Sequence, residues 1–155
     1  MIDFRERSHE FHVVSGFWAW ERMFRWMSAE GVLRLTPVVG APLLIRAHVP
    51  LSLLRRRWPD LKGVRAIVNV NGFRAGEVYI DREGVQDFRV AVPPNCFRPG
   101  EEALVGLKCD VTWRPREVDP QNMDERLLSI AVTAVEFRDP SHLAVSYKEC
   151  GRNSL

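Results

Sequence analysis

The chain has few lysines and no extended surface of one charge. Arginine supplies 19 of its 22 basic residues, and lysine occurs only at Lys62, Lys108 and Lys148. The 20 acidic residues are interspersed among the basic ones, and the tightest basic run covers only residues 55–57. Because a nucleic-acid interface needs a larger basic surface, we expect no nucleic-acid partner.

Cysteine is also scarce, with Cys96, Cys109 and Cys150 far apart in the sequence. An odd number at these spacings fits neither a disulfide framework nor a zinc site. The histidines of the His-Glu-Phe-His run, His9 and His12, have no third ligand at a spacing that would complete a metal site. We therefore expect no metal, no cofactor and a cytoplasmic location, where thiols stay reduced.

Long apolar segments are missing as well. The longest stretch without Asp, Glu, Lys or Arg covers residues 35–45 and is interrupted by Pro37, Gly40 and Pro42. A membrane-spanning helix needs about 20 apolar residues, and charges within the first ten positions leave no apolar segment for a secretory signal. We therefore expect no membrane span.

The common catalytic motifs do not occur. The sequence has no Gly-x-Ser-x-Gly, no glycine-rich phosphate loop and no dinucleotide fingerprint. The carboxylates of Glu21, Glu117, Asp119 and Asp124 keep a small hydrolase open as a weaker alternative, because glycoside hydrolysis needs two of them at a set separation. We expect a chain that is not an enzyme.

What the sequence does have is apolar residues at every second position, which is typical of half-buried strands. The longest such run covers residues 103–113, and others cover residues 32–36, 43–49, 64–71, 78–80, 88–92 and 128–134. Asn71-Gly72 between two of these runs predicts a hairpin. Short helices are predicted only at Leu51–Arg57 and residues 123–127, too short for crossovers between parallel strands.

Seven to nine strands without covering helices predict an antiparallel two-sheet β-sandwich, with a jelly-roll favoured over a barrel. We expect one domain over residues 1–140 and a partly mobile tail over residues 141–155. The predicted core consists of Val68, Val70, Phe88, Val90, Leu107, Val111, Ile130 and Val132.

Residues 16–27 are unusually aromatic, with three of the five tryptophans and two phenylalanines around Glu21 and Arg25. In a strand, Trp18, Trp20, Arg22, Phe24 and Trp26 would share one face, unless a turn interrupts it. One interpretation is that these aromatic residues belong to the core. The alternative is an exposed aromatic surface for a sugar ring, with charged groups beside it to bind hydroxyls.

A loop over residues 114–126 is about twice the usual length of a connection, and such loops are often functional. Opposite charges in the aromatic segment and at residues 124–126 predict a partly buried charge cluster that holds this segment against the start of the final strand. Its members are Glu21, Arg25, Asp124 and Arg126.

Several short motifs stand together: Gly16-Phe17, Trp20-Glu21, Arg25-Trp26, the Asn71-Gly72 hairpin, Pro115, and Asp124-x-Arg126-x-Leu128-x-Ile130. Over about residues 15–137 this combination resembles the galactose-binding-like jelly-roll domains found with bacterial glycosyltransferases and other surface-polysaccharide enzymes. Ser129 stands where those domains usually have glycine. The resemblance implies a noncatalytic accessory β-sandwich.

Two functions follow as hypotheses. The first is a noncatalytic carbohydrate-binding or accessory module, whose partners are a glycan and a glycosyltransferase or other protein. Its expected ligand-binding residues are the exposed rings of Trp18, Trp20 or Trp113 with Glu21, Arg116 or Asn122. The second is a structural or protein-interaction sandwich that binds no small molecule.

Overall fold

The computed structural model describes residues 2–3 and 12–138 of the chain. The tail predicted at residues 141–155 lies outside the described residues. Within them are nine strands, β1 Ile2–Asp3, β2 Val13–Phe17, β3 Arg25–Leu35, β4 Leu43–His48, β5 Val64–Val70, β6 Phe73–Ile80, β7 Gln86–Val90, β8 Ala103–Cys109 and β9 Ala131–Phe137. There are also two short α-helices, α1 Leu51–Arg57 and α2 Pro115–Val118, and one 3₁₀ helix, Pro94–Cys96.

The strands pair antiparallel in the order β6-β5-β8-β3-β9-β4-β7, with β2 beside β3 and β1 beside β9. The two ends of this order approach each other, since a Cβ atom added to Gly76 in β6 would lie 2.9 Å from Val90 Cγ1 in β7. The sheet is therefore nearly barrel-shaped. An all-β antiparallel fold is confirmed, and its division into two jelly-roll sheets stays a prediction.

Strand β3 changes neighbours along its length. Arg25 and Trp26 pair with β9, whereas residues 30–35 pair with β8. Strand β2 follows its other edge with register shifts. Gly16 permits this approach, because its φ is +77° and an added Cβ would lie 1.8 Å from the carbonyl oxygen of Glu30. The alternating pattern predicted a strand only over residues 32–36. The strand is longer because pairing with β2, β8 and β9 extends it over Arg25–Leu35.

The core is formed by the inward residues of the alternating strands. In β4 the side chains of Leu43, Ile45 and Ala47 are buried, while those between them are partly exposed. Six members of the predicted core are buried, and Phe88 and Val111 pack against it while partly exposed. The predicted inward faces are therefore correct in β4, β5 and β8, as expected when one face of a sheet is apolar. In β9 the predicted face fails after Val132, because Ala134 is partly exposed whereas Val135 and Phe137 are buried.

The predicted Asn71-Gly72 hairpin is present between β5 and β6, with both residues at positive φ. The Asn71 side chain also fixes its surroundings, because its Nδ2 donates to the Cys96 carbonyl at 2.8 Å and its Oδ1 accepts from the Leu104 amide at 2.9 Å. One residue thus specifies the turn and joins it to two other segments.

Helix α1 has the predicted bounds, but the prediction of a helix at residues 123–127 is wrong, because no helix forms there. There the side chains of Asn122 and Asp124 accept hydrogen bonds from backbone amides two residues further along, and such contacts compete with helix formation. The helical turn forms earlier in the chain, with Pro115 as its first residue.

No helix in the described part of the chain is long and apolar enough to cross a membrane.

Candidate functional site

The aromatic segment forms a hairpin with a tight turn. The Trp18 amide donates to the Trp26 carbonyl at 2.8 Å, and the Glu21 amide donates to the Phe24 carbonyl at 3.0 Å. Arg22, at the turn, has a φ of +65°. The turn therefore divides the segment, so its alternate residues do not share the face of one continuous strand. Trp18 instead lies directly across the hairpin from Trp26.

The Arg126 side chain contacts three others from this hairpin and the 114–126 loop. We call these four residues, Trp18, Glu21, Asp124 and Arg126, the Arg126 cluster. The guanidinium donates from Nε to both Asp124 carboxylate oxygens at 3.1 Å, and from Nη2 to Asp124 at 2.8 Å and to Glu21 Oε1 at 3.0 Å. It also lies 5.8 Å from the centroid of the Trp18 ring. Trp18 Nε1 donates to the Leu127 carbonyl at 2.9 Å. The indole is thus fixed at its edge and at one face.

Hydrogen bonds within the Arg126 cluster favour the charged forms of Asp124 and Arg126. The bond from Arg126 lowers the pKa of Asp124, and the same bond raises the pKa of Arg126. Burial opposes both shifts but is the smaller effect. The charges of this pair are therefore retained throughout the neutral pH range.

Of the predicted charge cluster, the structure brings Glu21, Asp124 and Arg126 together. Arg25 is linked to the cluster through the backbone of Trp18, because its Nε donates to the Trp18 carbonyl at 2.8 Å. The side chains of Arg126 and Asp124 are 30% and 26% exposed, so the cluster is half-buried rather than fully buried.

Of the expected ligand-binding residues, Trp18 and Glu21 are members of the Arg126 cluster, and Arg116 and Asn122 each hydrogen-bond to the backbone of Asp124. Trp18 is 36% exposed and Glu21 is exposed beside it, while Trp20 is partly exposed. Arg116 forms a salt bridge with Glu125. Asn122 Oδ1 accepts from the Asp124 amide at 2.9 Å, so this side chain shapes the loop.

The prediction that Trp113 offers an exposed ring is wrong. Its side chain is 3% exposed, Nε1 donates to the Ser129 carbonyl at 2.9 Å, and its ring packs edge-on against Trp26 at 5.5 Å. Strand β8 ends at Cys109, and an isolated bridge to Leu128 directs Trp113 into the core.

A cleft away from the Arg126 cluster was not predicted from the sequence. It is a cleft of about 540 Å³ on the outer side of β4, which we call the His48 cleft. Its lining residues come from the aromatic hairpin, β4, the start of β7 and β9: Met23, Phe24, Arg46, His48, Val85, Asp87 and Thr133. The alternating sequence pattern indicated only that Arg46 and His48 point outward from β4, and it did not indicate the cleft.

His48 is a partly buried lining residue of this cleft that contacts two aromatic rings. Its ring lies edge-on to Phe24 at 5.1 Å and tilted to Trp26 at 5.9 Å. Burial lowers the pKa of the imidazole, and the negative charge of Glu83 opposes that shift only in part. Nδ1 is buried without a hydrogen-bond partner among the described residues.

Within residues 12–138, no three side chains of His, Cys, Asp or Glu are placed to hold a metal ion. Burial raises the pKa of the Cys109 thiol to about 11, so the nucleophilic thiolate is not populated at neutral pH.

No protein-family model matches the chain, and no curated protein matches it.

Proposed function

We propose that the chain is a noncatalytic carbohydrate-binding or accessory module with a jelly-roll, galactose-binding-like β-sandwich, associated with polysaccharide synthesis or modification. It binds a glycan at the Arg126 cluster and acts beside a glycosyltransferase or another protein. The antiparallel pairing of the strands supports the fold part of this proposal, as does the long β3 that pairs with different strands at its two ends.

The observation that carries the proposal is the preorganised indole of Trp18. Its edge is held by the Leu127 carbonyl and one face by the Arg126 guanidinium, yet about a third of the residue remains exposed. Glu21, exposed beside the ring, offers an acceptor for sugar hydroxyls. A rigid aromatic surface next to a carboxylate suits a saccharide, whose C–H face is apolar and whose edge is polar.

The affinity of such a site is low. One or two sugar units bury little area, and binding must still immobilise the ligand. We expect dissociation constants near millimolar, which correspond to a binding free energy on the order of −4 kcal/mol.

One observation favours the structural or protein-interaction alternative. Arg126 already donates to both Asp124 and Glu21, so the cluster has an internal function in joining the hairpin to the loop. Exposed apolar side chains such as Phe73 and Val39, 58% and 69% exposed, would suit a protein partner.

The experiment is a glycan array followed by saccharide titrations of wild type, Trp18→Ala and Tyr79→Ala. Tyr79 is a matched control, because it is 39% exposed and has the Arg65 guanidinium 5.3 Å from its ring centroid, on β6. We expect Trp18→Ala to lose binding at least tenfold while Tyr79→Ala retains it. A folded wild type that responds to no glycan, or equal losses in both variants, would favour the interaction module.

A further inference from the structure

The aromatic hairpin turns at Arg22 through a backbone conformation that arginine rarely adopts. The Met23 amide donates to the Glu21 carbonyl at 2.8 Å, and Arg22 between them has a φ of +65°. A hydrogen bond of this span around a residue at positive φ defines the strained form of the γ-turn. A side chain with a Cβ atom is disfavoured in this region, which glycine enters without strain. Arg22 therefore holds a strained backbone at the tip of the hairpin.

The other residues at positive φ in the described part of the chain are suited to that conformation. They are Asn71 and five glycines. Asparagine tolerates positive φ, and the Asn71 side chain also binds two other segments. Arg22 is the exception among these described residues. Because strained residues of this kind cluster at functional sites, the Arg22 side chain is a candidate functional group.

The fold makes no use of the Arg22 side chain. It is exposed, and it forms no hydrogen bond, ion pair or ring contact with the described residues. Arg25 and Arg126 differ, because Arg25 donates to the Trp18 carbonyl and Arg126 donates to Asp124. Glycine at position 22 would remove the strain and lose no such contact. An arginine at this position therefore suits a role toward an external ligand.

The other charges around the hairpin already have partners. The hairpin over residues 16–27 and the 114–126 loop carry five arginines and five carboxylates. The partners are Arg126 for Glu21 and Asp124, Arg114 for Glu117, Arg116 for Glu125, the Gln121 amide for Asp119 and the Trp18 carbonyl for Arg25. On the side of the His48 cleft, the pairs are Arg46 with Asp87 and Arg138 with Glu136. On the described hairpin and loop, Arg22 is thus an unpartnered cation on a surface without net charge.

A free guanidinium near the exposed indole of Trp18 suits a sugar that carries a negative charge. The planar guanidinium binds carboxylate or phosphate through two parallel hydrogen bonds, which are stronger than bonds between neutral groups. Arg22 follows Trp18 by four residues, which span at most about 14 Å, and the turn shortens that distance. A substituent on one or two sugar units over Trp18 is therefore within reach of the Arg22 side chain. Glu21 lies between them in the chain, but Arg126 already meets its charge.

We propose that Arg22 binds an anionic substituent, a carboxylate or a phosphate, of the glycan at the Arg126 cluster, so that the site selects acidic over neutral sugars. This inference rests on the proposed function, which names a glycan but not its charge. The strained turn presents the guanidinium beside the cluster, and its bidentate contact forms only when an acidic sugar is bound.

The test compares wild type, Arg22→Gln and Arg89→Gln by following amide resonances in NMR titrations. The probes are methyl β-D-glucuronide, glucose 6-phosphate and the neutral methyl β-D-glucoside, all at the same ionic strength. Arg89 is the matched control, because it is also an exposed arginine but lies in the regular strand β7. We expect wild type and Arg89→Gln to bind at least one acidic sugar at least tenfold more tightly than the glucoside. Arg22→Gln should bind the acidic sugars no more tightly than the glucoside.

Arg22→Gly separates ligand binding from folding. Glycine relieves the strain at this φ, so the variant should have a Tm no lower than that of Arg89→Gln and should still lose the preference for acidic sugars. A lower Tm would give Arg22 a structural role and overturn the inference. Trp18→Ala should weaken the binding of acidic and neutral sugars alike, and undiminished binding would overturn the placement of the sugar at the Arg126 cluster.

The failure of this inference is distinguishable from the failure of the proposed function. Equal affinity of wild type for acidic and neutral sugars, or an undiminished preference in Arg22→Gln, would overturn the role of Arg22 and leave the glycan module intact. A folded wild type that responds to none of the three probes would also overturn it. Only a glycan array without any response would overturn the proposed function as well.

Discussion

Replacing Arg126 with methionine tests whether the Arg126 cluster holds the aromatic hairpin against the 114–126 loop. Methionine retains an unbranched apolar stem but removes every guanidinium hydrogen bond. The variant loses the donors to Asp124 and Glu21 and the cation above the Trp18 ring. Asp124 is left without its principal charged partner.

The magnitude follows from burial. Removing one partner of a fully buried ion pair costs about 3–5 kcal/mol, whereas an exposed pair contributes about 0–1 kcal/mol. Arg126, Asp124 and Glu21 have side chains that are 30%, 26% and 39% exposed, so the cluster lies between these limits. We expect Arg126→Met to lower the free energy of unfolding by about 1–2 kcal/mol, a fall in Tm of roughly 2–8 °C for a domain of this size.

The assay is urea unfolding of wild type and variant, followed by circular dichroism. Arg98→Met is the matched control, because Arg98 and Glu101 form a pair with an N–O distance of 3.9 Å whose side chains are 79% and 61% exposed. That control should change stability by less than about 0.5 kcal/mol. A double-mutant cycle should also give a larger coupling of Arg126 with Asp124 than with Glu21, since several donors reach Asp124 and one reaches Glu21.

An Arg126→Met variant no less stable than Arg98→Met would refute this reasoning. The geometry of the cluster would then be an exposed arrangement without energetic consequence. Equal coupling to both carboxylates would instead show that Coulombic attraction outweighs the directed hydrogen bonds.

Two other results should follow from the buried aromatic residues. Trp113→Ala should cost about 3–5 kcal/mol in urea unfolding, because the side chain is 3% exposed; a loss below about 1 kcal/mol would contradict its burial. Burial lowers the pKa of His48 below 6.5 in the folded protein, so the unfolded chain binds a proton at higher pH and stability falls as pH decreases through 6.5. His48→Phe should flatten the decline measured between pH 7.5 and 5.5, and an unchanged slope would assign it to other groups.

The alternation of apolar residues determined much of the fold. It predicted β4, β5 and β8 to within a few residues, because inward and outward positions in a strand are fixed by a local period of two. Asn71-Gly72 determined its hairpin equally locally, since both positions require positive φ. The Trp-rich segment was visible in the sequence too, but the turn at Arg22 that divides it was not.

Only the tertiary structure decided which aromatic rings are buried and where the His48 cleft lies. Trp18 is fixed by a carbonyl 109 positions away, and Trp113 is buried by a bridge to Leu128 after β8 has ended. The His48 cleft requires four separate segments and a one-residue shift between β4 and β9. A sequence pattern records the environment of a residue relative to its neighbours in the chain, whereas these features depend on contacts between segments that only folding brings together.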